Sequence, residues 1–232
     1  MSLALTPEEW GALTLSLRVS FWAVVWSLPL GILVAQALAR WQFPGKQALN
    51  LVVHMPLILP PVVTGYLLLV AFGRRGWLGA WLEEWFGLVF AFRWTGAALA
   101  SAVMAFPLMV RAIRLAIEAV DPRLEAAART LGAAPAWVFL TVTLPLILPG
   151  ILVGAVLAFA RAMGEFGATI TFVSNIPGQT QTLPTAIYAL LQMPGGEARA
   201  MRLVLVAVVV AAAAIVLSEW LSRMVARRVG GS

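Results

Sequence analysis

Arg161 and Glu165 stand four residues apart within AFARAMGEFGAT, an apolar stretch where a charge is costly and by default functional. On a helix that spacing puts both side chains on one face. Two roles fit them. In one, Arg161 attracts an anion directly, although Glu165 beside it repels a doubly charged one. In the other, the two neutralise each other as a structural or gate-closing tie. Thr169 and Thr171 follow on the same segment, with Ser174, Asn175, Thr180, Gln181 and Thr182 beyond it. Their hydroxyl and amide donors either line the mouth of a solute path or contact another protein, or else simply face water.

Other chemistries lack their residues. The chain has no cysteine, which removes disulfides, thiolate metal sites and cysteine nucleophiles. Its single histidine, His54, lies in an apolar run beside Met55 and Pro56. A metal cage needs several convergent ligands, so a structural role is expected of it. There is no nucleophile–base set and no pair of intramembrane carboxylates for proton chemistry. No GxxxxGK[ST] phosphate loop is present either. No residue is therefore assigned to catalysis, a cofactor or a metal, which argues against an intramembrane enzyme. A passive anion channel is harder to set aside on hydropathy alone. The net charge of +6 and pI near 11.2 raise the question of nucleic acid. The basic residues, however, are scattered between apolar runs and form no patch.

The elements that carry these residues must live in lipid. Of 232 residues, 62% are apolar and 11% charged, with a mean hydropathy of +0.93. Soluble domains have about 45–50% and about 25%. No linker or repeat divides the chain, so one integral membrane domain is expected over 1–232, with its core at about 10–222. Five stretches are long enough to cross about 30 Å of hydrocarbon, which takes around 20 helical residues. They run from about Trp10 to Ala39, Leu49 to Phe72, Trp94 to Ala116, Leu144 to Phe166 and Met201 to Val225. The expected fold is all-α, a polytopic helical bundle with five core transmembrane helices.

Internal prolines (Pro29, Pro56, Pro60, Pro61, Pro107, Pro145, Pro149) predict kinks, which membrane helices tolerate when neighbours satisfy the freed carbonyls. The stretch from about Thr182 to Gln192, broken by Pro184 and Pro194, predicts a short re-entrant or surface helix. Gly150 and Gly154 form GxxxG, which suits close packing within the chain or against a second copy.

Glu8 and Glu9 precede the first apolar stretch and the first arginine is Arg18, already inside it. That is not a secretory signal, so the first helix is expected to remain. With the amino terminus outside, the inner side collects nine basic residues: Arg40, Lys46, Arg111, Arg114, Arg123, Arg129, Arg223, Arg227 and Arg228. The outer side has five: Arg74, Arg75, Arg93, Arg199 and Arg202. The excess places the carboxyl terminus in the cytoplasm of the cell. Trp10, Trp41, Trp77, Trp94 and Trp220 suit interfacial anchors. Arg223, Arg227 and Arg228 suit anionic headgroups.

On this orientation the connection from Ala119 to Thr143 faces the cytoplasm. Asp121 is a good N-cap with Pro122 at the first helical position. EAAAR supplies strong helix formers, and Gly132 is placed to end the helix in a left-handed cap. Pro135 then starts a second short helix carrying Trp137, Val138 and Phe139. Two short helices between spans make a rigid knob, with Glu125 as a directed charge.

Glu125-Ala126-Ala127, followed by Gly132 and Leu144-Pro145, resembles the EAA signature of permease subunits of binding-protein-dependent ABC importers. The resemblance covers about Leu13 to Leu221. It implies the type I importer permease fold, with the loop docking as coupling helices into a cleft on a separate ATP-hydrolysing subunit. Glu125, Ala126, Ala127, Thr130, Leu131 and Gly132 are the residues it assigns to that coupling. Arg161, Glu165, Thr169 and Thr171 become candidates for the gate or translocation path.

Residues 160–188 narrow the class. ARAMGEFGA is similar to both molybdate and sulfate permeases, and NIPGQTQTLPTAIY, from Asn175 to Tyr188, is more like the molybdate group. The resemblance implies import of molybdate, with tungstate and a sulfate or thiosulfate type as alternatives. Its implied partners are a second copy of the chain, two ATP-binding cassette subunits, an external molybdate-binding protein and membrane lipid. ATP is used by the partner, so no cofactor is expected here. Some members carry an extra helix before the first span, which this chain is expected to lack.

Overall fold

Thr6 starts the first helix for a local reason. Its hydroxyl accepts the Glu9 N–H at 3.3 Å and the Glu9 carboxylate accepts the Thr6 N–H at 2.9 Å, a reciprocal capping box. Pro7 takes the first helical position, where no N–H is needed. The resulting α1 (Pro7–Arg40) has 34 residues, roughly 51 Å at 1.5 Å per residue. It therefore outruns the hydrocarbon, and begins earlier than the expected stretch. The structure is a computed structural model that describes residues 5–229, without the side chains of residues 218, 221–223 and 225–229, among them Arg223, Arg227 and Arg228. That basic cluster thus lies outside the described residues.

The second expected span is two helices. α2 (Lys46–Ile58) and α3 (Pro61–Phe72) meet at 117°. Pro60 and Pro61 supply no N–H to the carbonyls of Pro56 and Leu57, and Leu59, preceding a proline, is extended at ψ 141°. Two helix bonds vanish together, so the chain turns sharply where a single proline would only kink it. Pro29, Pro107 and Pro149 stay inside continuous helices. A further helix, α4 (Trp77–Phe86), was not anticipated, and it presents Trp77, Trp81 and Trp85 outward.

Alanine and serine make α5 (Trp94–Glu118) the centre of the bundle. Ala97, Ala98, Ala100 and Ser101 are fully buried and let neighbouring backbones approach. Further along, Met109, Val110, Ile113 and Ile117 form a core with Ala35 and Leu38 of α1.

After α5 come α6 (Pro122–Thr130) and α7 (Pro135–Val138), a wide π turn at Phe139–Thr143, and α8 (Leu144–Met163). The expected second short helix is not separate from the fourth span. Residues 135–163 form one apolar helix of 29 residues. Pro145 cannot donate to the Thr141 carbonyl, and the ladder shifts by one residue, with the Leu144 N–H on the Phe139 carbonyl. α8 also closes the GxxxG question, because a Cβ at Gly150 would overlap Ala116 Cβ and one at Gly154 would sit 3.1 Å from Ile113 Cγ1. These glycines serve packing within the chain.

α9 (Gly167–Val173), α10 (Leu183–Leu191) and α11 (Glu197–Val229) complete the order. α10 matches the short helix expected between Thr182 and Gln192, and its first N–H, from Leu183, bonds Ser16 Oγ of α1 at 2.6 Å. Among the described residues four helices are long and apolar enough to cross a membrane, and the α2–α3 pair makes five if it counts as one broken span. Ile58, Val63, Tyr66, Val209 and Val216 are among many large apolar side chains left exposed. A soluble protein does not present apolar surface on that scale. The chain is a multi-span membrane protein.

Candidate functional site

Two clusters gather the residues singled out in the sequence. The first surrounds α6. Asp121 caps it by accepting the Arg123 N–H at 2.9 Å. At the other end Gly132 has φ +85°, and the N–H groups of Gly132 and Ala133 bond the carbonyls of Arg129 and Ala128 at 3.0 and 3.2 Å. That is a complete Schellman closure, and it needs a left-handed residue at position 132. Ala126, Ala127, Thr130, Leu131 and Gly132 are all exposed, Leu131 at 89%.

Glu125 is the exception. It was expected as a directed charge of the coupling set, and it is buried at 7% exposure. Its Oε1 accepts the Thr143 hydroxyl at 3.0 Å and lies 3.4 Å from Arg40 Nη2. The same Nη2 donates to the Ile117 and Val120 carbonyls at 3.1 and 2.9 Å. Arg40 closes α1, Ile117 and Val120 stand at the end of α5, and Thr143 leads into α8. One ion pair thus joins α6 to the ends of three long helices.

Neither Arg40 nor Thr143 was singled out by sequence. Arg40 was counted only for topology. The available signal was an arginine at a helix end, where cations meet free carbonyls.

The second cluster is the break between α8 and α9. Arg161 Nη1 sits 2.6 Å from Glu165 Oε2, with Glu165 1% exposed and Arg161 27%. Glu165 Oε1 accepts the Ala168 N–H at 2.8 Å. Thr169 and Thr171 give their hydroxyl protons to their own helix, at Phe166 and Gly167 carbonyls 2.9 and 2.8 Å away. α3 lies against this segment so closely that a Cβ on Gly65 would meet the Ala168 carbonyl at 2.6 Å.

The remaining polar candidates are divided. Thr180 and Thr182 are buried in the loop, Thr180 accepting the Ile176 N–H at 3.0 Å, whereas Ser174 is exposed at φ +66°. His54 Nδ1 lies 2.8 Å from the Asn50 carbonyl, a bond within its own helix. A further ionic group joins residues that the sequence had placed only by charge and sidedness: Glu9 Oε1 takes Arg202 at 3.0 Å and Arg199 at 3.4 Å. It ties the start of α1 to the start of α11.

The sequence and fold can be set beside known proteins. Residues 27–231 match the family described as binding-protein-dependent transport system inner membrane component. The molybdenum transport system permease protein ModB of Escherichia coli (strain K12) is 61% identical over 228 residues, 98% of this chain and 100% of that protein. The chloroplastic sulfate permease 2 of Chlamydomonas reinhardtii is 43% identical over 177 residues, 76% of this chain and 48% of that protein. Among solved structures, a bacterial alginate ABC transporter, crystallised with a periplasmic protein carrying an alginate pentasaccharide, aligns with a TM-score of 0.70. It is 21% identical and the match covers 97% of this chain and 80% of that chain. That last likeness concerns the fold.

Proposed function

The chain belongs to the family of binding-protein-dependent transport system inner membrane components, and we propose that it carries molybdate as the permease of an ATP-driven importer. It is a transport subunit and not an enzyme. The observation that carries the substrate is the end-to-end 61% identity to a molybdenum permease, against 43% over a shorter stretch to a sulfate permease.

In this reading two copies enclose the path and each lends α6 to an ATP-hydrolysing subunit. The exposed Ala126, Ala127 and Gly132 support it, since small side chains let a partner's backbone come close, and the exposed Thr130 and Leu131 add a polar and an apolar contact beside them. The amino terminus faces outward and α6 faces the cytoplasm. Closure of the two ATPases on ATP draws the paired α6 helices together and tilts the attached spans. The path enclosed by the two copies thereby exchanges inward for outward access, and hydrolysis resets it. A path must hold its ion loosely enough to release it, so tight capture falls to an external binding protein. The Arg161–Glu165 tie holds the α8–α9 corner beside the path.

Reconstitution in liposomes with the ATPase and binding protein tests the proposal. Labelled molybdate should accumulate only with ATP, and unlabelled tungstate and sulfate read the selectivity. Entry without ATP would mean a channel. Competition by sulfate as strong as by molybdate would move the chain to the sulfate class.

A further inference from the structure

The signature glutamate is turned toward its own chain. Glu125 is 7% exposed while its neighbours Ala126 and Ala127 are open to the surroundings. Its Oε1 takes the Thr143 hydroxyl at 3.0 Å and stands 3.4 Å from Arg40 Nη2. The side chains of Arg40 and Glu125 are only 20% and 10% exposed, so their attraction is weakly screened.

Resting on the importer reading above, we propose that Glu125 is a positioning residue acting inward. Through Arg40 and Thr143 it passes the displacement of α6 to α1, α5 and α8 together, and contact with the ATPase is left to the exposed residues from Ala126 to Gly132.

Three observations support this division. Arg40 Nη2 also holds the Ile117 and Val120 carbonyls at 3.1 and 2.9 Å, so a pull on Glu125 reaches the end of α5 as well as α1. Thr143 belongs to the π turn Phe139–Thr143, and such a turn inserts a residue and rotates everything beyond it, a feature frequent at functional positions. Arg40 Nε, finally, is buried without a hydrogen-bond partner. A buried unmatched donor is costly, and here it gives the carboxylate a second place on the same guanidinium when α6 shifts. A bistable tie of this kind transmits a discrete movement, where a flexible one would absorb it.

The test uses the whole assembly, with permease, ATPase and binding protein in liposomes, and molybdate as the solute. Two quantities are read: the ATPase copurifying with each permease variant, and the molybdate taken up per ATP hydrolysed. Arg40→Gln and Glu125→Gln should each copurify the ATPase yet lower uptake per ATP about tenfold, within the usual range of coupling between sites. The double variant should be no worse than the poorer single one, because both changes cut the same tie. Thr143→Val, which removes only the hydroxyl, should give a smaller drop, and it keeps the test open should an arginine variant fail to fold.

Unchanged uptake per ATP in Thr143→Val and Glu125→Gln overturns the proposal, as does an additive double variant. Loss of copurification in Glu125→Gln but not in Arg40→Gln also overturns it, by placing the carboxylate against the partner. If the unaltered permease copurifies no ATPase, the importer reading itself has failed, and the two failures are told apart.

Discussion

Arg161 Nη1 lies 2.6 Å from Glu165 Oε2 while Glu165 Oε1 accepts the Ala168 N–H at 2.8 Å. Both oxygens of the carboxylate are therefore engaged before any solute arrives. One residue closes the end of α8 and steadies the start of α9, and this geometry favours a brace over an open anion site.

Removing one partner of a buried ion pair costs about 3–5 kcal/mol. Arg161 is 27% exposed, so water partly compensates its loss and Arg161→Ala should fall near the lower end. Glu165→Ala should be worse, because it also strips the Ala168 N–H of its acceptor. Replacing both, as Arg161→Met with Glu165→Leu, should recover part of the thermal stability and of molybdate uptake. Recovery of stability without any recovery of uptake would return Arg161 to the anion path.

Gly150 belongs to a contact that leaves no room for a side chain. A Cβ there would overlap Ala116 Cβ on α5. Gly150→Val should destabilise the permease by about 1–3 kcal/mol through overpacking, and Ala116→Gly in the same chain should restore much of it. The melting temperature in detergent reads the effect. Should Gly150→Val leave melting intact and only weaken association of two copies, the glycine serves an interface and the packing account is wrong.

What the sequence made legible follows a physical line. Asp121, Pro122 and Gly132 act on their own turn of chain, so their types alone located both ends of α6. Glu125 was assigned from the same few residues, yet its direction depends on Arg40 and Thr143, which only the assembled bundle brings near.

The 117° corner at Pro60–Pro61 shows the opposite fault. The missing N–H groups were visible, but the apolar content of Leu49 to Phe72 suggested one continuous span. The close seat of α3 on α9 at Gly65 is long-range and gave no local sign. Of the tryptophans of α4 only Trp77 was read, as a boundary anchor, and Trp81 and Trp85 on the same helix went unremarked.

Gly132 makes a prediction about backbone alone, since an added Cβ would meet nothing within 4 Å while φ is +85°. Gly132→Ala should cost about 1–2 kcal/mol from the left-handed conformation. Gly132→Asn should cost less and Gly132→Val more, because asparagine tolerates that region and a β-branched residue does not. Faster hydrogen exchange in α6, in the order Val, Ala, Asn, checks this. Equal exchange in all three would show that the Schellman closure does not hold the helix.

Sidedness can be read from a chain that contains no cysteine, because a single introduced thiol then reports without background. Ala127 on α6 and Gln179 before α10 are both exposed. They belong to opposite ends of α1: Glu125 pairs with Arg40 at its finish, whereas Gln181 lines one recess with Glu8 near its start. The nine-to-five excess of basic residues on the α6 side predicts that this side is cytoplasmic. An impermeant maleimide should therefore label Gln179→Cys in intact cells and Ala127→Cys only after lysis. The reverse pattern would put α6 where no ATP-driven subunit can reach it, and the tie from Glu125 to Arg40 would have no stroke to transmit.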